Sequence, residues 1–137
     1  MKYNMKYNNL LECVWGGLII TGLAILLETS LQGVGFLTLV FIPLLAPLRE
    51  EGLKVGGLII FKPPAKLYYL TTALLFTLIE LFGNYSGEMP LWWIGVRLVP
   101  HFLFAIVFLW GMRKSVVFGF VSALTVHILW NFLVITF

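Results

Sequence analysis

Residues 115–137 read SVVFGFVSALTVHILWNFLVITF and contain no Asp, Glu, Lys or Arg. A helical span of a bilayer takes about 20 predominantly apolar residues, so this stretch is long enough to cross the hydrocarbon core. Residues 93–110, WIGVRLVPHFLFAIVFLW, precede it and carry a single charged residue. The short basic turn Gly111-Met112-Arg113-Lys114 joins the two stretches. This part of the chain predicts two consecutive transmembrane helices.

The composition extends that prediction to the whole chain. Of its 137 residues, 61% are apolar and only 11% are charged, whereas soluble domains have about 45–50% and about 25%. These values exclude a soluble globular domain and a disordered chain. Cys13 is the single cysteine, which excludes a disulfide scaffold. We therefore expect an all-α, polytopic integral membrane helical bundle with one domain, residues 1–137, and five to six transmembrane or membrane-embedded helices.

Polar residues and prolines divide the rest of the chain into further apolar runs. These runs cover residues 10–27, 31–46, 48–61 and 67–83. Residues 1–9, MKYNMKYNN, are expected to be a solvated tail. Glu28-Thr29-Ser30 separates the first two runs, and Pro43 and Pro47 are expected to end the second, because proline breaks or kinks a helix. Loops are predicted at residues 62–66 and 84–92.

The basic residues give the orientation but leave the number of passages open. Lys62, Lys66, Arg113 and Lys114 are expected in the cytoplasm and the Glu88 loop outside. If residues 31–61 make one net passage, the lysines of the N-terminal tail also lie inside, and the chain has five passages. If residues 31–46 and 48–61 cross separately, there are six and those lysines lie outside. We favour six segments, because helix 48–61 would then begin near the outer face, where the other polar residues lie.

The net charge of +3 fits basic loops at a membrane better than a nucleic-acid partner, because the basic residues form no patch. The expected partners are the lipid bilayer and a membrane protein or peptide substrate. The expected location is a cell membrane, and the minimal loops suggest a prokaryote. The sequence does not indicate an oligomeric state.

Several polar side chains interrupt the apolar runs at depths where a charged group costs at least about 2.5–3.5 kcal/mol. The candidate catalytic residues are Glu50, Glu51, Glu80, His101, His127 and Asn131, and the supporting residues are Lys54 and Arg97. Each has an ordinary structural explanation: a solvated helix end, a side chain that reaches the interface, a core histidine or an interhelical hydrogen bond. Their coincidence in one small protein favours a shared functional site.

Hydrolysis by an activated water suits this set of residue types. A desolvated carboxylate is a stronger general base, and His127 and Asn131, four residues apart on one helix face, can donate to an oxyanion. Cys13 has no evident base, and neither GxSxG nor HExxH occurs. No cofactor motif is present. Zinc is the alternative, with ligands from a set of four residues: Glu51, Glu80, His101 and His127.

The spacing of these residues resembles a known family. PLREEGLK, residues 47–54, looks like the EExxK motif of PrsW-type intramembrane proteases, and FTLIE, residues 76–80, resembles their second motif. Residues 97–101 and HILWN, residues 127–131, resemble the later histidine motifs. The related CAAX-protease and bacteriocin-processing group has EExxxR, FxxxH and HxxxN, of which only the last occurs in the chain. The similarity covers residues 46–131 in the family's order.

The resemblance implies a glutamate-type intramembrane endopeptidase that cuts a membrane protein near the outer face of the membrane. By this resemblance, Glu50 or Glu51 activates the water, Glu80 and His101 assist, and His127 and Asn131 stabilise the oxyanion. The alternative is a non-enzymatic protein, such as a small transporter with a Glu–His proton path or a scaffold.

Overall fold

The computed structural model describes residues 7–31, 37–83 and 91–136, and in these ranges it contains helices and no strands. The helices are α1 (Tyr7–Leu31), α2 (Leu37–Phe61), α3 (Ala65–Gly83), α4 (Leu91–Gly111) and α5 (Val116–Thr136). Three of them contain windows long and apolar enough to cross a membrane: Ala65–Phe82, Ile94–Gly111 and Val116–Val134. The expected all-α class is confirmed, and the three windows agree with the expected association with a membrane.

The preference for six segments is wrong, because α2 is one helix from Leu37 to Phe61 that includes both Pro43 and Pro47. A proline removes one backbone donor, but leaving the helix in apolar surroundings would expose many more unpaired backbone groups. Continuing the helix therefore costs less than ending it.

The first helix also differs from the prediction at both ends. It begins at Tyr7, so the last residues of the expected solvated tail are helical, and residues 1–6 lie outside the described ranges. It continues through the polar triplet 28–30 instead of ending before it. The α2–α3 loop is confirmed at residues 62–64. Of the loop expected at 84–92, residues 84–90 lie outside the described ranges, and α4 begins at Leu91.

Consecutive helices run antiparallel. Gly57 near the end of α2 packs against Tyr68 near the start of α3, and Tyr69 stacks on Phe108 near the end of α4. The connections after α2 and after α4 therefore lie at one end of the bundle, with the start of α1. We call this the basic end, because it carries four basic residues: Lys62, Lys66, Arg113 and Lys114. A chain whose five described helices all crossed the membrane would therefore have these four residues on one side, as the positive-inside rule expects.

Many large apolar side chains are exposed, and several charged side chains are buried, which is unusual for a soluble protein. Large apolar side chains such as Ile60, Phe82 and Val117 are more than two-thirds exposed. Buried residues include aromatic rings and also a set of polar and charged groups: Glu50, Glu51, Lys54, Thr72, Thr77, His101 and His127. An apolar exterior suits a lipid environment. The charged and histidine side chains lie mainly in the interior of the bundle.

Candidate functional site

The buried charged and histidine side chains come from α2, α4 and α5 and meet near the middle of the bundle, and the partly exposed Glu80 of α3 joins them. Glu51 lies ten residues before the end of α2, His101 ten before the end of α4, and His127 eleven after the start of α5. At about 1.5 Å per residue, each lies about 15–17 Å from the basic end. Glu80, on α3, lies closer to the opposite end.

One oxygen of Glu51 is hydrogen-bonded to two side chains. Its Oε1 accepts a hydrogen bond from Lys54 Nζ at 2.7 Å, along the same helix, and is 3.1 Å from Nδ1 of His127 on α5. All three side chains are at most 4% exposed. Because a buried carboxylate needs both a charge partner and hydrogen bonds, this pair of contacts explains how Glu51 is accommodated, and it ties α2 to α5.

Glu50, the adjacent residue, has a different environment. Its Oε1 lies 3.9 Å from a guanidinium nitrogen of Arg49, and its Oε2 lies 3.9 Å from Nε2 of His127. Both distances exceed that of a hydrogen bond. Oε2 is buried and has no hydrogen-bond partner among the described residues. Glu51 Oε2 is likewise buried without a hydrogen-bond partner among the described residues, so the two glutamates differ in their other contacts. Glu51 Oε1 is engaged by Lys54 and His127, whereas Glu50 Oε2 faces Nε2 of His127 across 3.9 Å and is available for another molecule.

Glu80 joins α3 to α4. Its Oε2 is 3.1 Å from Nε2 of His101 and 3.4 Å from a guanidinium nitrogen of Arg97. The side chain is 26% exposed, so this pair lies between the interior and the surroundings. His101 itself is buried, and its Nδ1 has no hydrogen-bond partner within the described part of the chain.

Aromatic rings line the cluster. Phe104 stacks on the His127 ring, with centroids 4.1 Å apart and planes 18° from parallel, and the His101 ring stands edge-on to His127 at 6.0 Å. Lys54 Nζ lies 4.7 Å from the centre of the Phe76 ring, a cation–π arrangement. Phe104 is missing from the residues predicted from the sequence, although its position three residues after His101 puts it on the same helix face.

Asn131 lies one turn beyond His127 on α5 and is half-buried. No hydrogen bond joins it to the glutamates or histidines in the described ranges. The structure therefore brings together five of the six candidate catalytic residues and both supporting residues, and it places Asn131 one turn away on the same helix.

The residues whose possible ligand atoms lie close together differ from the set expected from the sequence. Glu50, Glu80 and His101 each offer a ligand atom, and these atoms lie within 4.8 Å of one another. The expected set also contained Glu51 and His127. These two side chains are instead within hydrogen-bond distance of each other. Carboxylate oxygens and imidazole nitrogens suit Zn²⁺, so the converging residues could hold such an ion.

Comparison with family models, with curated proteins and with solved structures gives no match for the chain. The likeness to PrsW-type proteases therefore depends on the short motifs alone. The function has to be inferred from the chemistry of this site.

Proposed function

We propose that the protein is an intramembrane endopeptidase that hydrolyses a peptide bond of a membrane protein substrate with a glutamate-activated water. The observation that supports this most directly is the pair formed by Glu50 Oε2 and His127 Nε2. They are 3.9 Å apart, too far for a direct hydrogen bond, and both are buried. One water can bridge two polar atoms at such a separation.

In this proposal the two glutamates have separate roles. Glu50 orients and polarises the water, because its Oε2 is available and faces Nε2 of His127 at 3.9 Å. Glu51 holds His127 and is itself held by Lys54. Glu80 fixes His101 beside the water, and the amide of Asn131 is the proposed oxyanion donor. The low dielectric of the interior strengthens each of these interactions.

We also propose the membrane face toward which the site opens. With the basic end in the cytoplasm, the site opens toward the outer half of the bilayer, because Glu80, its partly exposed member, lies near the opposite end. The substrate peptide bond would then lie near the outer membrane face.

A zinc-dependent protease is the second candidate, and the convergence of Glu50, Glu80 and His101 favours it. Two carboxylates and one imidazole would leave a fourth position for water, as in catalytic zinc sites. Bound zinc would supply a water that is acidic enough to ionise near neutral pH.

Proteolysis in proteoliposomes tests the proposal. Wild type, E50Q and the control E12Q are given a library of single-span peptides, with and without a chelator. Glu12 is an exposed glutamate of α1. We expect E50Q to lose at least about 10²-fold in turnover, the usual contribution of a group that activates water, and E12Q to lose none. The products are identified by mass spectrometry.

Each outcome separates the candidates. Cleavage that survives the chelator supports the glutamate mechanism, and cleavage that the chelator abolishes and Zn²⁺ restores supports the zinc enzyme. Full turnover by E50Q contradicts the role of Glu50. If wild type cleaves no peptide but the same liposomes take up protons, the polar cluster serves a transport path and the protease proposal is wrong.

A further inference from the structure

We infer that the two histidines of the cluster are held in opposite tautomers, and that Glu51 is the positioning residue that makes Nε2 of His127 the proton acceptor for the water. The proton-transfer part of this inference rests on the proposed function. The tautomers follow from the hydrogen bonds alone and can be measured without substrate.

The tautomer of His127 is set by what else Glu51 Oε1 accepts. Lys54 Nζ, an ammonium with only donors, lies 2.7 Å from that oxygen. In this ion pair the Glu51 carboxylate is ionised and acceptor-only, so Nδ1 of His127, at 3.1 Å, has to donate to it. A neutral imidazole has a single N–H, which leaves the lone pair on Nε2. That nitrogen is the one that lies 3.9 Å from Glu50 Oε2.

The same reasoning gives His101 the other tautomer. Glu80 Oε2 lies 3.4 Å from a guanidinium nitrogen of Arg97, which can only donate. Nε2 of His101, 3.1 Å from the same oxygen, therefore donates as well, and in the neutral ring this leaves the lone pair on Nδ1. Two glutamates on different helices thus select opposite nitrogens in the two rings.

The packing keeps the His127 ring in place. Phe104 stacks on its face, and a 180° rotation of the ring would replace the Nδ1 donor at Glu51 with a carbon. The buried carboxylate would then lose a hydrogen bond, which is costly in a low-dielectric interior. The ring orientation is therefore coupled to Glu51.

The consequence for the reaction is a defined destination for the proton. A water between Nε2 and Glu50 Oε2 meets two acceptors, so its hydrogens point at them and an oxygen lone pair faces the substrate. As the oxygen bonds to the carbonyl carbon, one proton passes to Nε2 and the carbonyl electron pair moves to its oxygen. The imidazolium that forms is stabilised by Glu51. The imidazolium then gives the proton to the amide nitrogen as the oxyanion electron pair re-forms the carbonyl and the C–N bond breaks, so the products are a carboxylic acid and an amine.

This assignment changes two roles that the resemblance implies. Glu50 polarises and orients the water while His127 takes its proton, and His127 is not an oxyanion donor during the attack. Neutral His127 has already used its N–H on Glu51 and has none to offer an oxyanion during the attack. That function is left to Asn131 and to groups outside the cluster. His127 gains a second N–H only after it has accepted the proton from the water.

Nitrogen NMR of the imidazole rings tests the tautomers. The chain has two histidines, so ¹⁵N-histidine labelling of the full-length protein in nanodiscs gives two ring systems, and H101Q assigns them. The buffer contains a chelator, so that no metal competes for the rings. We expect one ring protonated at Nδ1 and one at Nε2, with H101Q removing the second.

A double variant tests the part played by Glu51. E51L/K54M replaces the buried ion pair with apolar side chains of similar size, a change that is often tolerated. We expect the Nδ1–H signal of His127 to disappear in this variant while helix content is kept, and E12Q to leave both rings unchanged. On a cleaved peptide, the double variant should lower kcat by about 10²-fold or more with little change in KM.

The results distinguish failure of the inference from failure of the proposed function. Two rings both protonated at Nε2 in wild type, or an Nδ1–H signal that survives in E51L/K54M, would overturn the inference whatever the activity. Opposite tautomers that depend on Glu51, in a protein that cleaves no peptide, would support the positioning by Glu51 and overturn the protease proposal.

Discussion

At the scale of residues, Glu50 and Glu51 show why adjacent identical residues can differ in function. Neighbours on a helix point about 100° apart, so they meet different partners. Each glutamate has a buried Oε2 without a hydrogen-bond partner among the described residues, but Glu51 also has two donors at Oε1, whereas the contacts of Glu50 with Arg49 and His127 are both 3.9 Å long. The sequence identified both positions but could not separate them, because the rotation of α2 is set by packing against α5, which a one-dimensional pattern does not contain.

The buried Lys54–Glu51 pair leads to a stability prediction. K54M leaves the Glu51 carboxylate buried without its ammonium partner, and breaking a buried pair from one side typically costs about 3–5 kcal/mol. We expect K54M to lower the Tm in detergent by more than E51L/K54M does, because the double variant leaves no uncompensated charge. Circular dichroism during heating measures this, with the exposed Lys66 changed to Met as control. Equal Tm values for the single and double variants would contradict the pairing.

At the scale of elements, the length of an apolar run predicted the ends of the helices better than the positions of proline did. The predicted spans 67–83, 93–110 and 115–137 correspond to α3, α4 and α5 to within about two residues at each end. The errors are confined to α1 and α2, where polar residues and Pro47 were expected to end helices. The contacts between helices, such as His127 with Glu51 across 76 positions, could not be predicted, because residue spacing gives no information about distant pairs.

The crossing of α4 and α5 leads to a prediction at this scale. A Cβ added at Gly119 would lie 2.8 Å from the Phe108 carbonyl oxygen, which is backbone and cannot move aside. Gly95 lies on α4, and a Cβ added there would meet nothing within 4 Å. We expect G119A to destabilise the protein by about 1–3 kcal/mol, as overpacking does, and G95A to be neutral or stabilising by up to about 1 kcal/mol. Thermal unfolding in detergent compares them, and equal stability would show that the helices do not cross this closely.

At the scale of the whole molecule, the odd number of helices resolves the conflict over orientation. With five antiparallel helices, both basic connections and the start of α1 lie at one end of the bundle. Six passages would separate them. If all five described helices cross the membrane, the positive-inside rule predicts that the basic end lies in the cytoplasm.

Cysteine accessibility tests this orientation. In a C13A background, single cysteines at Lys62, Ser115, Glu88 and Asn8 are treated with a membrane-impermeant maleimide on intact bacterial cells and after permeabilisation. We expect E88C to react in intact cells and K62C and S115C to react only after permeabilisation. N8C should behave like K62C, because α1 begins at the basic end. Labelling of N8C in intact cells would indicate six passages and contradict the five-helix arrangement.

The sequence distances between charge partners have a consequence for biosynthesis. Helices enter the membrane in the order of their synthesis, and an unpaired charge costs at least about 2.5–3.5 kcal/mol at that stage. Lys54 is three residues from Glu51, so α2 can insert with this charge already compensated inside the same helix. Glu80 finds its partners Arg97 and His101 in the next helix, 17 and 21 residues later. A charge partner is therefore synthesised soon after each of these two glutamates. His127 is synthesised long after its partner Glu51, but it is neutral in the tautomer inferred above.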